Sequence, residues 1–230
     1  MAAISLVRHG QASLGAEDYD QLSDLGKTQA RHLGQWLVQG GHSLDRVVTG
    51  SLKRHKKTAE TCAACFASPA SECLVDSGFD EFDHREVLVR HSPEFEDRKA
   101  IGKFLTAKGD PERAFQAIFV DAVRRWTDGN HDDDYRESWT AFKARCIAAF
   151  DRLLALPEKP TWVFTSGGTI SVLCQHILEV PDRRVLDLNW ALVNTGVTTL
   201  SGHAKTATLQ SFNVIAHLQQ AGARGLVTYR

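Results

Sequence analysis

Short apolar segments that alternate with helical patterns constrain the fold of this chain more than any other feature. Each segment has the length and composition of a buried strand, and helix patterns follow the first, second and fourth of them. The predicted strands cover residues 2–7, 45–50, 72–76, 161–165, 196–202 and 207–214. Because strands that alternate with helices form parallel sheets covered on both faces, the pattern predicts an α/β fold. We expect a three-layer α/β/α sandwich with a mostly parallel sheet.

Polar side chains and glycines stand where three of these strands end. They are Arg8, His9 and Gly10 after the first strand, Ser51 and Arg54 after the second, and Ser166, Gly167 and Gly168 after the strand at 161–165. The carboxyl ends of parallel strands meet at one edge of a sheet, and ligands bind there. Arginine forks match phosphate oxygens, and glycines let helix N–H groups approach an anion closely. The sequence therefore predicts a phosphate pocket at this edge, with Ser51 capping the helix that holds Arg54.

His9 is the member of this set that can act as a nucleophile. A neutral imidazole can attack phosphorus when its other ring nitrogen is held as a donor by the backbone. We therefore predict that His9 is catalytic. The residues predicted to bind phosphate are Arg8, Gly10, Arg54, Ser166 and Gly167.

The segment from about residue 85 to residue 137 interrupts the alternation of strands and helices. It is charged, rich in helix-forming residues and free of convincing strand patterns, which indicates a helical insertion. A chain of 230 residues fits one elaborated domain, so we predict a single domain over 1–230 that contains the insertion. We expect the insertion to lie over the active-site edge of the sheet and to influence the choice of substrate.

Several motifs together make the chain resemble a known family. The residues that carry the resemblance are "LVRHGQ" at 6–11, "LSDLGKTQA" at 22–30, "SLKRHKKTAET" at 51–61 and "FDEFD" at 79–83, with weaker matches in "VNTGVTTL" at 193–200 and "SFNVIAHL" at 211–218. On these motifs the chain resembles the histidine phosphatase superfamily, in the branch typified by cofactor-dependent phosphoglycerate mutase. The motifs cover most of the chain outside the insertion.

The resemblance implies a mechanism as well as a fold. It implies a transient phosphohistidine on His9, phosphate binding by Arg8 and Arg54, and delivery of a proton to the leaving group by Glu81. The residues alone also permit this last role, because a carboxyl group near a desolvated pocket can serve as a general acid. Asp80 and Asp83 are rival candidates, and the resemblance favours Glu81.

One position departs from the pattern of the family. The resemblance implies a second histidine before a glycine after the strand at 161–165, whereas this chain has Ser166 before Gly167. Loss of a charge-assisted contact to the phosphoryl group costs roughly 1.5–3 kcal/mol, or roughly one to two decades in rate. We therefore expect an active but slow phosphatase. A histidine from elsewhere in the chain, such as His84 or His203, is a candidate to fill the space.

Three functions fit these observations to different degrees. Hydrolysis of a phosphate monoester is the favoured one. The alternative is a catalytically weak or inactive pseudophosphatase that binds phosphate esters. A phosphoglycerate mutase is less favoured, because its Arg-His-Gly is typically followed by a Trp-Asn pair that is missing here and the second histidine is replaced.

Composition limits the partners and the compartment. The formal net charge is −1, which offers no general attraction for nucleic acid or a membrane surface. No run approaches the roughly 20 apolar residues of a membrane span, and the five cysteines do not suggest a disulfide framework. We therefore expect a cytoplasmic protein that acts on a small phosphorylated substrate, without a cofactor or metal. Whether the protein forms a homo-oligomer stays open.

Overall fold

The structure is a computed structural model. It describes residues 2–13, 20–68, 70–106, 109–203, 206–220, 222 and 225–229. The chain divides into two compact units, described in turn below. The first comprises Met1–Glu81, Arg145–Val180 and Arg184–Arg230, and the second comprises Phe82–Ala144 and Pro181–Arg183.

The strands form one six-stranded sheet in the first unit. They are β1 (Ala2–Arg8), β2 (Arg46–Thr49), β3 (Glu72–Val75), β4 (Thr161–Thr165), β5 (Val197–His203) and β6 (Thr206–Val214). Their order across the sheet is β3-β2-β4-β1-β5-β6. Strands β3, β2, β4 and β1 run parallel to one another, while β5 pairs antiparallel with both β1 and β6. The predicted α/β fold with a mostly parallel sheet is confirmed.

Helices follow β1, β2 and β4, as the sequence predicts. The α-helices are α1 (Asp24–Gln39), α2 (Lys53–Ala63), α3 (His84–His91), α4 (Arg98–Thr106), α5 (Pro111–Thr127), α6 (Trp139–Leu154), α7 (Gly167–Leu178), α8 (Val185–Ala191) and α9 (Ala216–Gln220). No helix in the described part of the chain is long and apolar enough to cross a membrane.

Apolar side chains from the strands and from α1 and α2 form the core beside the sheet. Val7 and Val47 contribute from the strands, with Phe164 from β4, and Leu33 and Leu37 contribute from α1. The two leucines lie one helical turn apart and so share one face of the helix. This packing fixes the position of α2 relative to β1 and β4, and with it the position of the residues in the first turn of α2.

The start of α2 differs from the prediction. Ser51 was expected to cap this helix, but the N-cap residue is Leu52, which has no side-chain capping bond. The Ser51 hydroxyl and N–H both donate to the Asp80 carboxylate instead, each at 2.5 Å. Asp20 replaces the missing cap, since its Oδ2 accepts from the Lys53 N–H at 2.8 Å. A carboxylate therefore occupies the electropositive start of α2.

The described residues of the second unit form helices joined by short turns, without a strand. It contains α3, α4, α5 and the first part of α6, with short 3₁₀ turns between them. Its core is aromatic: Trp126 lies 4.6 Å from Phe82, 5.2 Å from Trp139 and 5.5 Å from Phe142, measured between ring centroids. The segment from 85 to 137 is thus built from helices. Its expected position over the sheet edge stays a prediction.

Candidate active site

The backbone around His9 is held from two sides. The His9 N–H donates to the Thr165 carbonyl of β4 at 2.9 Å, and the Asn194 side-chain amide donates to the His9 carbonyl at 3.0 Å. The Gly10 N–H donates to Thr58 Oγ1 at 3.0 Å, and this hydrogen bond joins the loop after β1 to α2. A side chain at Gly10 would collide with the Gly26 carbonyl at 2.5 Å, which explains the glycine. The loop after β1 is therefore fixed before any ligand binds.

The His9 ring is neutral, and its two nitrogens differ in protonation. Its Nδ1 lies 2.7 Å from the Gly10 carbonyl oxygen. Because a carbonyl oxygen only accepts, Nδ1 carries the proton and Nε2 keeps a free lone pair. Burial, followed by the charge of Arg54 and the neighbouring His55 and Arg8, holds the pKa of His9 well below its usual value. The ring, 6% exposed, is therefore uncharged at neutral pH.

Arg8 is held by carbonyl groups from distant parts of the first unit. Its Nη1 donates to the Leu192 carbonyl at 2.5 Å and its Nη2 to the Tyr229 carbonyl at 3.0 Å. These bonds fix the plane of the guanidinium group beside His9. A fixed arginine fork is suited to binding two oxygens of one phosphate group.

Arg54 contacts a carboxylate that the sequence analysis did not single out. Its Nη1 donates to Asp20 Oδ1 at 2.8 Å, and the arginine side chain is buried while that of Asp20 is partly exposed. Asp20 thus contacts both the backbone at the start of α2 and the Arg54 side chain. No local pattern in the sequence marks this role, because it depends on how the chain returns from β1 to α1.

Ser166 contacts a histidine from α2, which the sequence analysis missed. Ser166 is the N-cap residue of α7 and is fully buried. Its Oγ lies 2.6 Å from Nε2 of His55, the residue directly after Arg54. The His55 ring also lies 5.8 Å from the His9 ring, measured between centroids. The imidazole next to Ser166 therefore comes from His55. His84 belongs to the second unit, and the side chain of His203 is outside the described residues.

The surroundings of His55 are closely fitted to the ring. Asp80 Oδ1 lies 3.8 Å from Nδ1, too far for a hydrogen bond. A Cβ atom at Gly50 would lie 2.3 Å from Nδ1 and 2.5 Å from Asp80 Oδ1, so a larger residue there would displace both groups. Burial, and then the charge of Arg54, holds the pKa of His55 well below its usual value.

The three candidate acids have different surroundings. Glu81 Oε2 accepts from the Gly168 N–H at 3.1 Å, at the start of α7. Asp80 accepts from Ser51, and Asp83 caps α3 by accepting from the Glu86 N–H at 3.0 Å. Both aspartates therefore have structural roles of their own. Glu81 is the carboxyl group placed at the glycine turn after β4, as the family pattern favours.

Gly167 lies between Arg8 and α8. A Cβ atom built on it would lie 3.6 Å from Arg8 Nε and 2.5 Å from the side-chain oxygen of Asn189. The glycine lets the start of α7 approach the arginine. The predicted residues at the ends of β1, β2 and β4 therefore converge within the first unit. Within the described ranges, no cluster of three or more histidine, cysteine or acidic side chains could hold a metal ion.

Comparison with known proteins identifies the same architecture. Residues 4–215 match the family described as the histidine phosphatase superfamily (branch 1). No curated protein matches the sequence significantly.

Solved structures with similar folds include a mycobacterial glucosyl-3-phosphoglycerate phosphatase, with a TM-score of 0.62, 21% identity and coverage of 93% of this chain and 99% of that one. Phosphoserine phosphatase from Entamoeba histolytica has a TM-score of 0.61, 21% identity and coverage of 95% and 100%. Phosphoglycerate mutase from Bacillus anthracis has a TM-score of 0.64, 15% identity and coverage of 96% and 97%. At these identities the similarity concerns the fold.

Proposed function

Because the chain belongs to branch 1 of the histidine phosphatase superfamily, we propose that it hydrolyses a phosphate monoester through a phosphohistidine on His9. The observation that carries the proposal is the protonation state of the His9 ring. Its Nδ1 proton is held by the Gly10 carbonyl, and burial keeps the ring neutral beside Arg8 and Arg54. A neutral nucleophile flanked by two cations is the arrangement that attack on a phosphate dianion requires.

In the first step the His9 Nε2 lone pair forms a bond to phosphorus. The bond from phosphorus to the ester oxygen breaks, and its electron pair goes to that oxygen. The carboxylic acid of Glu81 supplies the proton that the leaving alkoxide needs. Arg8 and Arg54 stabilise the negative charge on the remaining phosphoryl oxygens.

In the second step a water molecule takes the place of the departed alcohol. Glu81, now a carboxylate, accepts a proton from the water while the water oxygen forms a bond to phosphorus. The nitrogen–phosphorus bond breaks, its electron pair returns to Nε2, and inorganic phosphate leaves. Both His9 and Glu81 are thereby restored to their starting states.

We propose that the substrate is a small phosphorylated molecule. The structural neighbours named for an activity include phosphatases of glucosyl-3-phosphoglycerate and phosphoserine, both small phosphate esters. The formal net charge of −1 offers no general field that would attract phosphate, which supports attraction by local groups such as Arg8 and Arg54.

The test is hydrolysis of p-nitrophenyl phosphate without added metal by the wild type, His9→Ala and His176→Ala. His176 is an exposed residue of α7 and serves as the matched control. We expect the wild type and His176→Ala to turn over substrate at the same rate and His9→Ala to be inactive. Equal turnover by the wild type and His9→Ala would overturn the proposed function.

A further inference from the structure

We propose that His55 and Ser166 act as one phosphate-binding unit, in which His55 positions the Ser166 hydroxyl to donate to the phosphoryl group. The inference rests on the proposed function and deepens it. Its starting point is the contact of 2.6 Å between His55 Nε2 and Ser166 Oγ, which joins the first turn of α2 to the start of α7. His55 acts through Ser166 and is therefore a positioning residue.

The register of β4 and β1 places Ser166 beside His9 in the sheet. Thr165, the preceding residue, pairs with Arg8 in the parallel register of β4 and β1, and its carbonyl accepts from the His9 N–H. Ser166 therefore stands next to His9 across the two strand ends. The His55 ring, 5.8 Å from the His9 ring between centroids, lies close to both residues.

The chemistry of phosphate fixes the direction of the hydrogen bond between the two residues. Oxygens of a phosphate dianion only accept hydrogen bonds, so a hydroxyl group that contacts them must donate its single proton. Ser166 Oγ is then free only to accept from its other neighbour. His55 must therefore donate its Nε2 proton to Ser166, which leaves the serine proton directed at the phosphoryl oxygen.

Burial of a polar imidazole at position 55 costs free energy of folding. The His55 ring is fully buried, and among the described residues its Nδ1 has no hydrogen-bond partner. An apolar side chain would fill the space without burying a polar ring. Gly50 provides the room, because a Cβ atom there would lie 2.3 Å from the ring. The space beside Ser166 is thus fitted to histidine in particular.

The pair also explains how a serine can stand where the family resemblance implies a histidine. The serine side chain is short, and by itself its hydroxyl can rotate away from the phosphate. The bond from His55 holds the Oγ lone pair and so orients the proton. A histidine introduced at position 166 would meet the His55 ring, since only 2.6 Å separates that ring from the serine oxygen.

The first test compares His55→Gln with His55→Asn. The terminal amide of glutamine can keep an N–H donor near the position of Nε2, whereas asparagine is too short to reach Ser166. We expect His55→Asn to lower kcat/KM for p-nitrophenyl phosphate roughly 10- to 100-fold, and His55→Gln to retain most of it. Both variants lose the ring, so equal losses in the two would overturn the inference.

The second test asks whether the two residues act as a unit. Ser166→Ala, His55→Ala and the double variant should all lose activity to a similar extent, whereas independent roles would make the losses multiply. Ser166→His should be impaired, and adding His55→Ala to it should raise kcat/KM at least roughly tenfold by removing the collision. Multiplying losses, or no recovery in the exchanged variant, would overturn the inference.

Binding of inorganic phosphate separates this inference from the proposed function. Calorimetry should show weaker phosphate binding by His55→Asn than by His55→Gln, whether or not the protein turns over substrate. A wild type that binds phosphate without hydrolysing esters would overturn the proposed function alone. Hydrolysis that depends on His9 but treats the two His55 variants alike would overturn the inference alone.

Discussion

Replacement of Glu81 by glutamine should slow hydrolysis by an amount that depends on the leaving group. Glutamine has nearly the same shape as glutamate but no proton to give. A poor leaving group such as an alkoxide needs that proton, and general acid catalysis contributes typically 10²–10⁴-fold. p-Nitrophenolate leaves without protonation. We therefore expect Glu81→Gln to lose roughly 100- to 10,000-fold on an alkyl phosphate and less than about tenfold on p-nitrophenyl phosphate.

The structure indicates that this substitution leaves the fold in place. Glu81 Oε2 accepts from the Gly168 N–H at 3.1 Å, and the glutamine side-chain oxygen can accept the same bond. We therefore expect the substitution to cost at most about 1 kcal/mol of stability. For a domain of this size this lowers Tm by about 2–4 °C. A large loss of activity with a small Tm shift would therefore show that the substitution affects the chemical step and not the fold.

The assay is kcat/KM for the two substrates, measured on the wild type, Glu81→Gln and Asp80→Asn. Asp80 is the matched control, because its carboxylate accepts from Ser51 and faces His55. We expect Asp80→Asn to affect both substrates by similar factors. Equal losses on both substrates in Glu81→Gln would refute the assignment, and a leaving-group effect in Asp80→Asn would transfer the role to that residue.

Two further predictions concern stability. His217 is buried beside Thr195, and burial lowers its pKa to about 4. Below about pH 6.5 the unfolded chain therefore binds more protons than the folded one, and stability decreases as the pH is lowered. In urea unfolding, His217→Asn should lack about 2 kcal/mol of the stability loss between pH 7 and 5, and an unchanged pH dependence would contradict this. Gly34→Ala should destabilise α1 by more than about 1 kcal/mol because its Cβ would lie 2.4 Å from the Cys62 carbonyl, whereas Gly102→Ala in α4, with open space around it, should stabilise by about 0.5–1 kcal/mol. Similar Tm shifts in the two alanine variants would refute the steric argument.

The sequence predicted the sheet and the convergence of the site because both follow from local patterns. The apolar runs that became β1, β2 and β4 are bounded by polar or glycine residues, and the parallel arrangement brings their carboxyl ends together. Arg8, His9 and Arg54 could therefore be placed near one another before their contacts were known. The N-cap of α1 is likewise local, since the Ser23 hydroxyl accepts from the Gly26 N–H within the same turn.

The remaining features depend on tertiary contacts that no local pattern records. Ser51 has the side chain of a helix cap, but Asp80, 29 residues away in sequence, binds its hydroxyl and N–H. His55 follows Arg54 directly, and this position was the sequence signal that could have placed His55 near the site. Its importance depends on the rotation of α2, which is set by packing against the sheet and by the space at Gly50. Asp20 contacts Arg54 although the two residues are 34 positions apart in the sequence.

The most direct test of the central claim is to trap the phosphoenzyme. The protein is mixed with a ³²P-labelled phosphate monoester, quenched in alkaline denaturant during turnover, and digested to locate the label by mass spectrometry. We predict an acid-labile, base-stable label on His9 in the wild type and no label in His9→Ala. Turnover without any labelled histidine, or a label on another residue, would contradict the account. Phosphate binding with neither turnover nor label would identify the chain as a phosphate-binding pseudophosphatase.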